Sequence, residues 1–177
     1  TLIGINELCK LNLDTESLCK IGVKLGADVP FCIKKGTMLA EGIGEILTPL
    51  SPLSGVPLVL IKPNISISTA YVYQHLNLNG LDHHPDNKAM ISYIANKDIK
   101  KIADSLSNVL ETVTVPENPI IDELKHYLTE NGAIGSLMSG SGPTTFGIFE
   151  NVEIAKEAYD KAKIAYPECD VVLCKTI

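Results

Sequence analysis

The 177-residue chain has no tryptophan, three phenylalanines and six tyrosines. Its core must therefore be built mainly from isoleucine, leucine, valine and alanine. Hydrophobic residues still make up 45% of the sequence, which is enough for a packed core. No apolar run approaches the roughly 18 residues that a membrane-spanning helix needs. These features argue against a membrane protein and lead us to expect a cytoplasmic one.

Positive charge is also scarce. Fifteen basic residues face 21 acidic ones, and the formal net charge is −6. No basic run extends beyond the pairs Lys34-Lys35 and Lys100-Lys101. Nucleic-acid binding is therefore not predicted. An acidic protein can still bind a polyphosphate where local donors are arranged for it.

The sequence contains no C-x-x-C pair and an odd number of cysteines. All of them lie among apolar residues, which predicts reduced, buried side chains that act as small hydrophobes. A reducing compartment follows from this interpretation. The five positions are Cys9, Cys19, Cys32, Cys169 and Cys174.

Several familiar active-site motifs are absent from the sequence. It has neither G-x-x-x-x-G-K-[ST] nor G-x-G-x-x-G, so a P-loop and a Rossmann fingerprint are excluded. The pair His83-His84 lies between Asp82 and Asp86, but this spacing matches no helical pair of metal ligands. We therefore predict a solvated loop there and no metal site.

What the sequence does contain is a loop of small residues, S-G-S-G-P-T, at Ser139–Thr144 between two apolar runs. Gly140 and Gly142 allow backbone angles closed to other residues and permit close approach to the main chain. Ser139, Ser141 and Thr144 add hydroxyl groups. The loop by itself is compatible with an anion-binding site and with an ordinary hairpin turn.

The order of predicted elements indicates an α+β fold in two parts. Ser51–Gly55 combines proline, serine and glycine and predicts a boundary between residues 1–54 and 55–177. From Val56 onward, helices inserted between about Thr69 and Leu106 aside, the order is strand, helix, strand, strand, helix, strand. That order is typical of the ferredoxin-like split βαβ arrangement, an antiparallel sheet with helices on one face.

Asp28 is the acidic residue with the most unusual surroundings. It lies between Gly26-Ala27 and Val29-Pro30, after a predicted helix and before a predicted strand Phe31–Ile33. A carboxylate held near a substrate hydroxyl can act as a general base. A surface turn or capping aspartate is the alternative that the local sequence favours.

Tyr71 and Tyr73 follow Ile67-Ser68-Thr69 and are among the few aromatic residues. A tyrosine on a helix that follows a sheet strand can stack on a nucleobase. Ordinary core packing explains the pattern equally simply and is the preferred interpretation of these two residues taken alone.

Four segments together carry a resemblance to a known family, and their order and spacing fit it over essentially the whole chain. The segments are L-G-A-D-V-P-F at Leu25–Phe31, G-T-M-L-A-E-G-I-G-E at Gly36–Glu45, K-P-N-I-S-I-S-T-A-Y-V-Y at Lys62–Tyr73 and M-S-G-S-G-P-T-T-F-G-I-F at Met138–Phe149. With these segments the chain resembles the GHMP small-molecule kinases, and within them a kinase of the non-mevalonate route to isoprenoid precursors. The glycine loop is shared more widely in the superfamily than the first two segments.

The resemblance implies an enzyme that transfers the γ-phosphoryl group of ATP, with Mg²⁺, to a hydroxyl of a substrate carrying a cytidine diphosphate. It assigns Asp28 as the catalytic base, Tyr73 as an aromatic residue packing on the cytosine, and Thr69 as a neighbouring residue of the substrate pocket. The loop Ser139–Thr144 becomes a support beneath the phosphate-binding loop.

One departure from the family pattern concerns the N-terminal side. The Gly/Ser-rich ATP loop of these kinases and the lysine that partners the aspartate both precede the part that this chain resembles. We therefore expect the 177 residues to be the tail of the first domain and all of the second, to need the rest of the same protein as a partner, and to be inactive alone. Another GHMP kinase, acting on homoserine or a mevalonate-type substrate, and a non-catalytic ferredoxin-like binding module remain alternatives.

Overall fold

The computed structural model describes residues 1–78 and 84–177 and divides into two compact units. The first comprises Thr1–Ser54 together with Ile177, and the second comprises Gly55–Thr176. The division falls in the segment Ser51–Gly55, where proline, serine and glycine break regular structure.

The first unit consists of short helices followed by a hairpin. The helices are α1 (Leu2–Leu8), α2 (Thr15–Gly22) and α3 (Val29–Lys34), and the strands β1 (Met38–Glu41) and β2 (Ile46–Pro49) pair antiparallel. Asp14 caps the start of α2, because its carboxylate accepts a hydrogen bond from the Ser17 N–H at 2.8 Å.

The strand predicted at Phe31–Ile33 is wrong, since this segment lies within helix α3. Pro30 occupies the first turn of α3, where its missing N–H costs nothing and its fixed φ suits a helix. The side chain of Pro30 is buried, and its carbonyl oxygen accepts a weak bond from the Cys19 thiol at 3.8 Å. Packing on α2 therefore outweighs the extended preference of the residue before proline.

In the second unit, the described residues form four strands and six helices. The strands are β3 (Pro57–Lys62), β4 (Gly135–Met138), β5 (Thr145–Ile148) and β6 (Asp170–Lys175). The helices are α4 (Thr69–His75), α5 (Asn87–Ala95), α6 (Ile99–Asp104), α7 (Glu111–Glu117), α8 (Ile120–Glu130) and α9 (Val152–Ala165). The sheet order is β4-β5-β3-β6 with antiparallel pairing throughout, which confirms the predicted split βαβ fold.

The main core of this unit lies between the sheet and helices α8 and α9. Alternate residues of β3, Val59 and Ile61, are fully buried and point toward these helices. Helix α9 buries a stripe of small residues at helical spacing, which lets it pack closely on the sheet. The stripe consists of Ala155, Ala158 and Ala162.

A second core cluster lies under the end of β4, where the glycine loop begins. Val72 of α4, Leu110, Ile121 of α8 and Met138 of β4 form this cluster. Leu110 is the N-cap residue of α7, so the start of this helix takes part in the cluster. The loop therefore rests on a packed base made by helices inserted between the first two strands of the split βαβ order.

The cysteines do not all behave as predicted. Cys19 is buried and Cys169 and Cys174 are half-buried, but Cys9 and Cys32 are exposed. The expectation of burial is therefore wrong for these two, because the short helices α1 and α3 cover only part of their surface. In the described part of the chain, no helix is long and apolar enough to cross a membrane.

Candidate functional site

The loop Ser139–Thr144 connects β4 to β5 and is closed by its own backbone. The Ser139 N–H donates to the Thr144 carbonyl at 2.8 Å, and the Gly142 N–H donates to the Ser139 carbonyl at 3.0 Å. Gly140 has φ +57° and Gly142 has φ +91°, so the turn requires the left-handed region at both positions. The peptide bond between Gly142 and Pro143 is cis.

The two glycines of the loop differ in their surroundings. A Cβ atom at Gly142 would lie 2.7 Å from Sδ of Met138 and 3.4 Å from Cγ2 of Thr114. At Gly140, no heavy atom of the described chain apart from its two chain neighbours lies within 4 Å of that position. Gly142 therefore serves close packing against side chains, whereas Gly140 serves the backbone angle alone.

The structure brings Thr69 to this loop. Thr69 is the first residue of α4, after the N-cap Ser68, whose hydroxyl accepts from the Tyr71 N–H at 3.3 Å. The hydroxyl oxygens of Thr69 and Ser141 lie 2.8 Å apart, which is hydrogen-bonding distance for two hydroxyl groups. Two site residues proposed from different sequence segments therefore contact each other.

Tyr73 lies on the same helix and is 61% exposed, so core packing is the wrong explanation for it. It lines a cavity of about 500 Å³ together with residues that precede α7 and residues that follow α4. The other lining residues include Leu76, Leu78, Pro85, Asn108 and Leu110. The cavity thus combines an aromatic ring, aliphatic side chains and an amide.

Tyr71 has a structural role instead. Its hydroxyl donates to a carboxylate oxygen of Glu117 at 2.7 Å, and its ring stacks on that of His75 with centroids 3.9 Å apart. The hydrogen bond to Glu117, assisted by burial, raises the pKa of the Tyr71 hydroxyl. Tyr71 thereby ties α4 to the end of α7.

The side chains that hold the loop from below were not identified from the sequence. The Asn108 amide donates to the carbonyls of Met138 and Gly140, each at 2.8 Å. Thr114, which is 1% exposed, donates its hydroxyl to the Ser141 carbonyl at 3.2 Å. The carbonyl groups of Met138, Gly140 and Ser141 are thus turned toward α7 and the segment before it.

Glu111 adds a charged contact at the base of the loop. One of its carboxylate oxygens accepts from the Met138 N–H at 2.7 Å, and the other accepts from Nζ of Lys125 at 2.6 Å. Both side chains of this ion pair are largely buried, at 17% and 19% exposed. Asp122 lies 3.5 Å from the same ammonium group. The sequence signal for the pair is weak because its two members are 14 residues apart on different helices.

Asp28 belongs to the first unit, whereas the loop, Thr69 and Tyr73 belong to the second. It stands at the N-cap position of α3 with φ −83° and ψ −10°. Among the described residues its carboxylate caps no backbone N–H, and the residue is exposed. A Cβ at Gly44, which has φ +116° in the β1–β2 turn, would lie 3.6 Å from Oδ1 of Asp28. The carboxylate therefore lies at the start of α3 and beside the β1–β2 turn.

Metal ligands are not clustered in the described part of the chain. No group of three or more histidine, cysteine, aspartate or glutamate side chains there could hold a metal ion. Nδ1 of His75 and Nδ1 of His126 each lie within hydrogen-bonding distance of a carbonyl of their own helix. Asp82 and His83, which were considered as a metal site in the sequence, lie outside the described residues.

Comparison with known proteins relates the chain to one group of enzymes. A family described as GHMP kinases C terminal matches residues 90–168. The chain is 50% identical over 168 residues to a protein of Acetivibrio thermocellus named 4-diphosphocytidyl-2-C-methyl-D-erythritol kinase. The match covers 95% of this chain and 59% of that protein, so the chain spans about three-fifths of the relative's length.

Solved structures give the same relationship. A crystal structure of 4-(cytidine 5'-diphospho)-2C-methyl-D-erythritol kinase matches with a TM-score of 0.79 and 25% identity, covering 98% of this chain and 60% of that one. A homoserine kinase from Cytophaga hutchinsonii matches with a TM-score of 0.75 and 18% identity, over 98% of this chain and 61% of that one. The second similarity concerns the fold alone.

Proposed function

We propose that the chain is the C-terminal part of a 4-diphosphocytidyl-2-C-methyl-D-erythritol kinase, and the match of residues 90–168 to a family described as GHMP kinases C terminal supports this. The complete enzyme would phosphorylate the 2-hydroxyl of that substrate with ATP, in the non-mevalonate route to isoprenoid precursors. A cytoplasmic location is part of the same proposal.

The observation that carries this proposal is the 50% identity to a kinase of that name over 95% of the chain. The two rival GHMP substrates, homoserine and mevalonate, are supported only by similarity of fold. Since the chain spans about three-fifths of its relative, the activity is proposed for the complete protein.

Exposed apolar side chains of the first unit support the proposal that a partner covers this unit. It exposes large apolar side chains that a self-contained unit of this size would bury. They include Leu8 (84% exposed), Leu25 (71%) and Ile43 (72%). We propose that the remainder of the same kinase packs on these residues, and that residues 1–54 are the tail of its first domain.

Asp28 would act as the general base of the reaction. Its exposed carboxylate is free to accept the proton of the substrate hydroxyl as the phosphoryl group arrives. Phosphoryl transfer depends mostly on positioning and charge neutralisation, so one well-placed carboxylate is a sufficient proton acceptor. The position of Asp28 would be fixed by the start of α3 and by Gly44 beside it.

Thr69 and Tyr73 would bind the substrate from the start of α4. The exposed ring of Tyr73 offers a face on which a cytosine can stack, in a cavity with room for a nucleobase. The Thr69 hydroxyl contacts Ser141, so the start of α4 and the loop would move together.

The loop Ser139–Thr144 fits a position near phosphates. The carbonyls of Met138, Gly140 and Ser141 are occupied by Asn108 and Thr114, which keeps their negative ends away from an anion. The described residues hold no carboxylate cluster for Mg²⁺; such an ion is commonly bound through one or two carboxylates together with the phosphates of ATP. When bound, ATP would supply the γ-phosphoryl group and Mg²⁺ would neutralise its charge.

Phosphorylation assays on the complete protein test the proposal. ATP and Mg²⁺ would be supplied with the cytidine-diphosphate substrate, homoserine or mevalonate, and only the first is expected to be phosphorylated. Asp28→Asn should lower kcat by roughly 10²–10⁴-fold, the usual contribution of a general base. Asp104→Asn, at an exposed aspartate at the end of α6, is the control and should leave kcat unchanged.

The two parts of the proposal fail separately. Phosphorylation of homoserine or mevalonate in place of the cytidine-diphosphate substrate would refute the substrate assignment. An Asp28→Asn variant with the kcat of the wild type would refute the role of Asp28 alone.

Isothermal titration of ATP into the isolated 177 residues should detect no binding in the micromolar range.

A further inference from the structure

We propose that Asn108 is a positioning residue that couples the Tyr73 cavity to the loop Ser139–Thr144. This inference rests on the proposed kinase function, and it assigns Asn108 a role in holding the loop for turnover. Asn108 precedes α7 and is half-buried.

The side chain of Asn108 uses both its donor and its acceptor groups. Nδ2 donates to the carbonyls of Met138 and Gly140, each at 2.8 Å, and Oδ1 accepts from the Leu110 N–H at 3.0 Å. A flat group with two N–H donors and one acceptor is needed to make these bonds together. Aspartate has the same shape but, when ionised, donates to neither carbonyl.

At Gly140, packing does not hold the tip of the loop, so the bond to this side chain matters most there. Gly140 is exposed, and apart from its two chain neighbours the described chain has no heavy atom within 4 Å of where its Cβ would lie. Its carbonyl bond to Asn108 connects the tip to the base of the loop at Met138, which is 1% exposed. Without Asn108, the Gly140 carbonyl would lose this bond, and the tip would be held only through the neighbouring Ser141, which contacts Thr114 and Thr69.

The same side chain forms part of the wall of the cavity that Tyr73 lines. A molecule in this cavity that touches Asn108 would therefore contact the side chain that binds the carbonyl of Gly140. On its other side the loop meets Thr69 through Ser141. The cavity and the start of α4 are thus both linked to the loop, and occupancy of the cavity would be sensed by the loop through Asn108.

The experiment compares Asn108→Leu with Asn131→Leu in the complete kinase. Asn131 is a matched control, because it is also half-buried and its amide donates to a backbone carbonyl, that of Tyr127 at 2.9 Å. It lies at the end of α8, before β4, whereas the loop follows β4. Kinetics with ATP and the cytidine-diphosphate substrate would be combined with site-resolved hydrogen exchange.

Asn108→Leu should lower kcat by about 10–100-fold, the range expected when a supporting contact is misplaced by an ångström or less. Exchange of the Ser139 and Gly142 amides, which close the loop, should become at least about tenfold faster, while amides within β5 exchange as in the wild type. Asn131→Leu should change neither kcat nor loop exchange. Asn108→Asp should behave like Asn108→Leu despite its conserved shape.

Several results would overturn the inference: loop exchange unchanged in Asn108→Leu, faster exchange in the loop and in β5 alike, or wild-type kcat despite a loosened loop. If Asn108→Leu does not fold, Asn108→Ser, which keeps one donor, should give an intermediate loss by the same two measurements. A wild-type enzyme that does not phosphorylate the cytidine-diphosphate substrate would refute the proposed function, and the exchange measurements would still decide whether Asn108 holds the loop.

Discussion

The hydroxyl oxygens of Thr69 and Ser141 lie 2.8 Å apart, although the two residues are 72 positions apart in the sequence. The contact joins the start of α4 to the glycine loop. It is an exposed hydrogen bond, so its contribution to folding should be small and its effect on the geometry of the site should dominate.

A double-mutant cycle with Thr69→Val and Ser141→Ala tests this contact. In the phosphorylation assay of the proposed kinase, each single variant should lower kcat/KM of the complete protein, and the double variant should lose less than the sum, with a coupling energy of about 0.5–1.5 kcal/mol. The free energy of unfolding should change by no more than about 0.5 kcal/mol in each case. Additive losses in kcat/KM would show that the two hydroxyl groups act independently.

Alanine at Gly142 should destabilise the protein more than alanine at Gly140. At Gly142, φ +91° is unfavourable for any side chain, and the new Cβ would press on Sδ of the buried Met138 at 2.7 Å. At Gly140, φ +57° lies in the left-handed helical region and the space is open, so strain of about 1–2 kcal/mol is expected there. Because the buried Met138 side chain can shift only partly, Gly142→Ala should reduce stability by about 1 kcal/mol more than Gly140→Ala does.

Urea unfolding of the two variants measures the difference directly. Equal midpoints for Gly140→Ala and Gly142→Ala would contradict the view that Gly142 is required for packing as well as for its backbone angle.

The ion pair of Glu111 and Lys125 should couple energetically because both side chains are largely buried. Glu111→Gln keeps an acceptor for the Met138 N–H but leaves the ammonium group with Asp122 at 3.5 Å as its remaining carboxylate. Each single variant should therefore cost about 1–3 kcal/mol of stability, and the double variant with Lys125→Met should recover part of this loss.

The control for this cycle is the exposed pair Lys156–Asp160, whose side chains are 60% and 54% exposed. Its coupling energy should be at most about 0.5 kcal/mol, compared with about 1 kcal/mol or more for the buried pair. Equal coupling energies in urea unfolding would show that burial does not strengthen the Glu111–Lys125 contact.

The raised pKa of the Tyr166 hydroxyl leads us to expect a loss of stability at alkaline pH. Burial, followed by the hydrogen bond of its hydroxyl to Glu123 at 2.9 Å, raises the pKa of Tyr166 from 10.0 to about 12. Between these two values the unfolded chain has released this proton and the folded chain still holds it. Stability from this group is therefore fully present below pH 10 and is lost as the pH rises toward 12.

Urea midpoints measured between pH 9 and roughly 12 test this prediction, because the slope of stability against pH reports the difference in bound protons between the unfolded and folded chains. Tyr166→Phe should reduce the alkaline slope and lower stability at neutral pH by about 0.5–1 kcal/mol through the lost hydrogen bond. Some slope should remain, because burial also raises the pKa of Tyr127 and of Cys169. An unchanged slope in Tyr166→Phe would rule out this residue as its source.

The sequence alone determined the helix caps of this chain and the order of the strands in its second unit. The caps Asp14, Asp86 and Asn151 each accept a hydrogen bond from a backbone N–H three residues further on, so residues within one helical turn determine their role. The split βαβ order also follows from the succession of apolar runs and turns, because a strand of alternating burial can pair in few ways.

Tertiary structure decided what surrounds the glycine loop. Asn108 and Thr114 bind carbonyls 27 to 32 residues away, and Thr69 meets Ser141 across 72 residues, so no local pattern marks these partners. The same reason explains the wrong strand at Phe31–Ile33, where packing of Pro30 on α2 overrode the local preference. Capping is decided within a turn of helix, whereas the support of the loop exists only once α7 has packed beneath β4.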